Sequence, residues 1–148
     1  MSVVELSAEL YAVQSLCKDL VAWSAYYRDR QDHEALAALF TETAQLTRPG
    51  GILLNGRAEI LASYRDGPAG RITRHLISNT VFLETTSKSA KSVSYVLLWS
   101  TSPDQPAEAS GRKANPRQVL GEFRDEFAKT PQGWRIAQRE SPFIMYKE

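Results

Sequence analysis

Apolar residues recur at helical spacing only before Gly67-Pro68; beyond that point every patterned stretch follows the two-residue period of a strand. This asymmetry decides the fold class, because parallel strands need crossover helices between them and the second half of the chain offers none. The expectation is an α+β architecture: a cone-shaped, curved sheet, antiparallel or mixed, wrapped around about three helices from the N-terminal half. A chain of 148 residues with 43% hydrophobic content suits one domain, taken as 1–148, with one sizeable core.

Leu10, Val13, Leu16, Cys17, Leu20 and Val21 recur at steps of three and four, predicting an amphipathic helix from about Leu6 to Arg28. Asp32 then stands as an N-cap before a short second helix carrying Leu36, Leu39 and Phe40, with His33 on an exposed first turn. Thr43 to Thr47 and Ile52 to Leu54 flank Arg48-Pro49-Gly50-Gly51 and predict a hairpin. RAEILASYRD resumes helical spacing through Ile60, Leu61 and Tyr64. Strands are predicted over Thr73 to Glu84, Ser92 to Ser100, Gln118 to Ala128 and Gly133 to Phe143. The segment from Thr101 to Pro116, rich in Pro, Ser, Ala and charge, reads as a long, mobile hairpin loop.

Charge and composition then exclude whole classes of function. Eighteen basic against seventeen acidic residues give a formal charge of +1 with no long run of one sign, so no nucleic-acid partner is expected. Glu5, Glu9, Lys18 and Asp19 interrupt the N-terminal twenty residues, which therefore lack the pattern of a secretory signal, and no other stretch approaches membrane-spanning length. Cys17 is the only cysteine, which rules out an internal disulfide, favours a reducing cytoplasm and suits a buried thiol better than a nucleophile. There is no glycine-rich phosphate loop, G-x-S-x-G elbow, C-x-x-C or H-E-x-x-H. With two histidines, no metal site and no cofactor are expected.

His75 is the residue that could carry chemistry. Strand spacing places it with Ile77, Asn79, Val81 and Leu83 on a mainly apolar face, where a carboxylate partner would make it a general base. The plainer reading is a core histidine satisfied by backbone. Asp29, at the end of the first helix, is the best candidate partner, although 100° per residue carries it off the centre of the apolar stripe, and a solvated carboxylate is the alternative. Tyr26, Tyr27, Tyr95, Trp99 and Phe123 could line a pocket or belong to ordinary core. Arg139 could bind an anionic group or pair with a surface carboxylate. Leu76, Phe82, Val96 and Leu98 would then fall on the outward face of the sheet, where a homodimer would cover them.

Tyr27-Arg28-Asp29-Arg30-Gln31-Asp32 before EALAALF, then GRAEI, RITRHLISN, GEFRDEF and GWRIAQR, resemble the SnoaL-like (nuclear-transport-factor-like) superfamily in content and order over nearly the whole chain. The resemblance implies a cystatin-like α+β roll and relatives that include polyketide cyclases, scytalone dehydratase, a dehydrochlorinase and the β subunits of ring-hydroxylating dioxygenases. In the dehydratase and dehydrochlorinase branches an Asp near the end of the first helix orients a His on the third strand, and Asp29 and His75 match those positions. Arg28 stands where scytalone dehydratase has a tyrosine, and Ser24 where the dehydrochlorinase branch has a lysine; Arg139 matches an arginine of that branch. What the resemblance implies is a cofactor-independent lyase or isomerase acting on a small apolar, cyclic or polyketide-like substrate. His75 and Asp29 would be catalytic, with Tyr27, Asn79, Tyr95, Trp99, Phe123 and Arg139 contacting substrate. Two alternatives stay open: a non-catalytic β subunit that joins an iron-containing dioxygenase α subunit, and a binder of small apolar ligands.

Overall fold

The computed structural model describes residues 6–148. Three helices, α1 (Ala8–Arg30), α2 (His33–Ala38) and α3 (Arg57–Arg65), are interleaved with a hairpin of β1 (Phe40–Thr47) and β2 (Leu53–Asn55). The remaining strands are β3 (Ile72–Thr85), β4 (Ser89–Thr101), β5 (Gln118–Thr130), β6 (Gly133–Glu140) and β7 (Phe143–Lys147). They form one curved, seven-stranded mixed sheet of order β2-β1-β6-β5-β4-β3, with β7 also on β5. Among the described residues only β1 and β6 run parallel, and α1 packs across the sheet against β3 and β6. Among the described residues no helix is long and apolar enough to cross a membrane.

Local chemistry explains the helix ends. Ser7 caps α1 by accepting the Leu10 N–H at 3.2 Å, and Gln31 ends it in the left-handed region at φ 57°. Asp32 caps α2 as expected, accepting from the Ala35 N–H at 3.2 Å. His33, expected on an exposed turn, is instead half-buried with its ring parallel to Tyr64 at 6.5 Å. The buried stripe of α1 runs Val13, Cys17, Val21, Ser24 and Ala25, leaving Leu16 half-exposed, so the core-facing edge is narrower than hydrophobicity alone suggests. Cys17 is fully buried. Burial and the nearby Asp125 carboxylate push its thiol up to about 12, which leaves it unreactive at neutral pH.

Two bulges reset which side chains face the core. Ser78 pairs with Tyr95 but Val81 with Val93, so β3 carries one extra residue, and Asn79 occupies it at φ 53°. Beyond that point the alternation inverts: Phe82 turns inward toward Phe127, while Val81 and Leu83, expected inside, are exposed. On β6 a register shift between the pairs Phe127–Ile136 and Glu126–Gln138 inserts Ala137, so Arg139 turns inward where unbroken spacing from Trp134 and Ile136 would point it out.

On β4 the expected faces are reversed. His75 pairs with Leu98 and Ile77 with Val96, and paired residues share a face, so Val96 and Leu98 are buried while Tyr95 and Trp99 stand outside. The inward face of this strand carries Ala90, Ser92 and Ser94, smaller than the Tyr95, Leu97 and Trp99 of its outward face, and that inversion of size defeats a reading by hydrophobicity. The last strand is also two. Ser141-Pro142 interrupts it, so β6 pairs with the second half of β5 and β7 with the first. Gly121 permits this crossing, because a Cβ there would meet the Pro142 oxygen at 2.7 Å. The segment between β4 and β5 folds back on itself, with Asn115 bonding Ser100 and Thr101 bonding the Lys113 carbonyl.

Candidate active site

The end of α1 and the start of β3 meet at Asp29. One of its oxygens, Oδ1, lies 2.6 Å from His75 Nδ1 and accepts the Thr73 hydroxyl at 2.9 Å; Oδ2 accepts the His75 backbone N–H at 3.0 Å. Three donors on two oxygens fix the carboxylate, and the offset of Asp29 from the α1 stripe is what carries it to β3 at the flank of the helix. Both side chains of the pair are largely buried, at 13% and 11% exposure. Burial pushes the Asp29 carboxyl up, but the His75 ring and backbone bonds and the Thr73 hydroxyl outweigh it and hold the group below its ordinary range. An ionised Asp29 therefore keeps the proton on Nδ1 and leaves Nε2 as the basic nitrogen.

His75 forms part of the wall of a cavity of about 120 Å³ that opens to solvent on one side. Its apolar wall includes Val96, Leu98, Val119 and Phe123, and its polar wall includes Arg28, Arg48, Tyr64, Arg71 and Arg139. The volume is close to that of engineered cavities of ~150 Å³ that hold a benzene molecule, which suits a single ring with a substituent directed outward.

Arg139 lies deepest among these cations and is committed to a partner. It forms two bonds to Asp125, Nε to Oδ1 at 2.7 Å and a terminal nitrogen to Oδ2 at 3.0 Å, and a third to Ser24 Oγ at 2.9 Å. Its guanidinium lies 3.9 Å from the Phe123 ring centre, a cation–π contact between two residues of the cavity wall. Ser24 donates its own proton to the Val21 carbonyl at 2.6 Å, so every polar atom of this network has a partner.

Of the candidate contact residues, then, the structure brings Asp29, His75, Phe123 and Arg139 to one place. Five others are elsewhere. Tyr27 is half-buried, stacked on Trp23 at 5.3 Å and packed against the core. Asn79 is exposed at its bulge. Tyr95 and Trp99 lie on the outer face, where Trp99 donates to Gln118 at 3.0 Å, and Tyr26 is 45% exposed. Sequence reasoning missed Thr73, Arg28, Arg48, Arg71 and Asp125. A signal for Asp125 was present: it alternates with Phe123 and Phe127, and a carboxylate in that position must find a buried cation. Among the described residues no three His, Cys, Asp or Glu side chains converge as metal ligands would.

The model of the SnoaL-like domain matches residues 13–140. No curated protein sequence matches the chain. Among solved structures, a provisionally assigned scytalone dehydratase from Novosphingobium aromaticivorans DSM 12444 superposes with a TM-score of 0.79 at 20% identity, over 96% of this chain and 91% of that one. The hexachlorocyclohexane dehydrochlorinase LinA, type 2, superposes at 0.78 with 13% identity, over 94% and 90%. ActVI-ORFA from Streptomyces coelicolor gives 0.70 at 20% identity, over 89% and 97%. At these identities the structural likeness speaks for the fold, while the match over residues 13–140 decides the kinship: the chain belongs to the SnoaL-like domain family.

Proposed function

We propose that the protein is a cofactor-independent lyase or isomerase that removes a proton from an activated C–H bond of a small cyclic substrate. His75 Nε2 is the base, and Asp29 is the residue that orients the ring and stabilises the imidazolium formed when the proton arrives. The observation that carries this reading is the 2.6 Å contact between Asp29 Oδ1 and His75 Nδ1 on the wall of a cavity that can hold one ring. Support also comes from the structural neighbours, which include a dehydrochlorinase by name. After abstraction, loss of a leaving group gives elimination, and return of the proton to another carbon gives isomerisation. Tyr27 and Asn79 drop out as substrate contacts because both lie away from the cavity.

The test starts with mass spectrometry of small molecules that copurify with the chain, followed by proton exchange of the recovered compound in heavy water. His75→Gln and Asp29→Asn should slow exchange on the order of 10²- to 10⁴-fold while the circular dichroism spectrum stays unchanged. Undiminished exchange in His75→Gln would eliminate the mechanism, and a recovered compound that binds but shows no exchange with the wild type would leave the small-molecule binder in its place.

A further inference from the structure

Four arginines line the His75 cavity, and only one of them is neutralised. Arg139 is matched by Asp125, whereas Arg28, Arg48 and Arg71 form no ion pair among the described residues. The acids nearby are already engaged: Asp29 holds His75 and Thr73, and Glu122 holds Arg124 at 3.1 Å. Arg28 and Arg48 both lie against the Tyr64 ring, 5.0 and 5.3 Å from its centre, and Arg48 also donates to Ser63 Oγ at 2.8 Å. Burial pushes the Arg28 guanidinium below its ordinary range; Tyr64 and Asp29 act against this, while the neighbouring positive charges of Arg48 and Arg71 add to it. Three like charges thus converge on a partly desolvated wall without an ion-pair partner of their own. Such an arrangement costs free energy in the empty protein and is relieved when an anion enters.

Resting on the reading of this cavity as the substrate site, we propose that the substrate is a single-ring carboxylate. Arg28, Arg48 and Arg71 hold its anionic group, and its ring lies toward Val96, Leu98, Val119 and Phe123. This narrows the expected apolar substrate to an amphiphilic one. A guanidinium presents N–H donors in a planar fork that matches a carboxylate with two bonds, whereas the apolar wall accepts the ring. The same cations would stabilise the negative charge that develops when His75 takes a proton from the carbon beside the carboxylate.

Benzoate and benzamide share ring and shape and differ in charge, so their affinities for the full chain, measured by ligand-observed NMR or calorimetry, test the proposal without requiring turnover. Benzoate should bind at least about tenfold more tightly, with the preference weakening as salt rises. Arg28→Gln and Arg71→Gln should each remove most of the preference and leave the amide affinity unchanged. Arg71 is exposed, so its variant keeps the test valid even if the half-buried Arg28 proves necessary for folding. His75→Gln should retain the preference even where catalysis is lost, which separates failure of the anion site from failure of the base. Equal affinities, neither probe binding at millimolar concentration, a preference that survives both arginine variants, or its loss in His75→Gln would each overturn the proposal.

Discussion

Asp29 links helix, strand and histidine through three hydrogen bonds, so its ionisation is coupled to folding. Its carboxyl is held below the ordinary range in the folded chain, which means that the unfolded chain binds that proton more readily. The stability it contributes is therefore fully present above the unfolded value of about 4 and is lost as pH falls through the lower folded value. Asp29→Asn should cost about 1–3 kcal/mol at pH 7, and in urea titrations at falling pH the gap to wild type should shrink below about pH 4. A gap independent of pH would show that the charge of Asp29 is not what the fold uses. A second consequence concerns the buried pair: Asp125→Ala leaves the Arg139 guanidinium unmatched and should cost about 3–5 kcal/mol in urea denaturation. Adding Arg139→Met to Asp125→Leu should recover much of that loss; a double variant as unstable as the sum would argue against the pair as the cause. His75 and Asp29 were legible because their residue types and order carry the resemblance. Arg28, Arg48 and Arg71 were not, because each reads alone as a solvated arginine and only the folded chain brings the three to one cavity wall.

At the scale of elements, the three helices and every strand but β7 followed from periodicity, whereas the faces of the strands did not. A bulge shifts alternation by one residue and leaves little mark on hydrophobic pattern, so Asn79, Val81 and Leu83 were assigned to the wrong face and Phe82 with them. The trace that does exist is Asn79 itself, one of the few residue types that tolerates the left-handed region. Asn79→Gly should preserve stability, while Asn79→Val should cost about 1–2 kcal/mol in thermal or urea unfolding, because a branched side chain clashes at positive φ. Equal stability of the two variants would mean that the bulge relaxes when its asparagine is removed. On β6 a similar insertion at Ala137 brings Arg139 inside to Asp125, so an irregularity of the ladder decides whether that arginine is a surface or an interior group. The break at Ser141-Pro142 was missed for another reason: it depends on the bare Cα of Gly121, which lies far from Pro142 in sequence and meets it only once β5 is paired with β7.

For the molecule as a whole, the reversal of β4 leaves an unusual outer surface. Leu76, Leu97, Leu120 and Met145 stand opposite one another across β3, β4, β5 and β7, an apolar row that spans about 15 Å at ordinary strand spacing. Tyr95 and Trp99 flank it, and Leu76, Tyr95, Trp99 and Met145 are all about half-exposed in the isolated chain. Apolar surface of this continuity is removed from water most simply by a second copy related by a two-fold axis, since the same row then packs against itself. The homodimer expected from the sequence thus keeps its logic but changes its residues, from Phe82, Val96 and Leu98, which are internal, to this row. A stable interface of that type covers roughly 800 Å² on each partner and should hold the wild-type chain as a dimer at micromolar concentration in sedimentation or light scattering. Leu97→Glu places a charge at the middle of the row, where its backbone remains paired on both sides in the sheet, so the variant should be a folded monomer. A monomeric wild type, or a Leu97→Glu variant that stays dimeric, would exclude this face as the interface. Because the cavity lies on the opposite, concave side, Leu97→Glu should also retain the benzoate affinity of the wild type, and a parallel loss of binding would mean that the second copy completes the site.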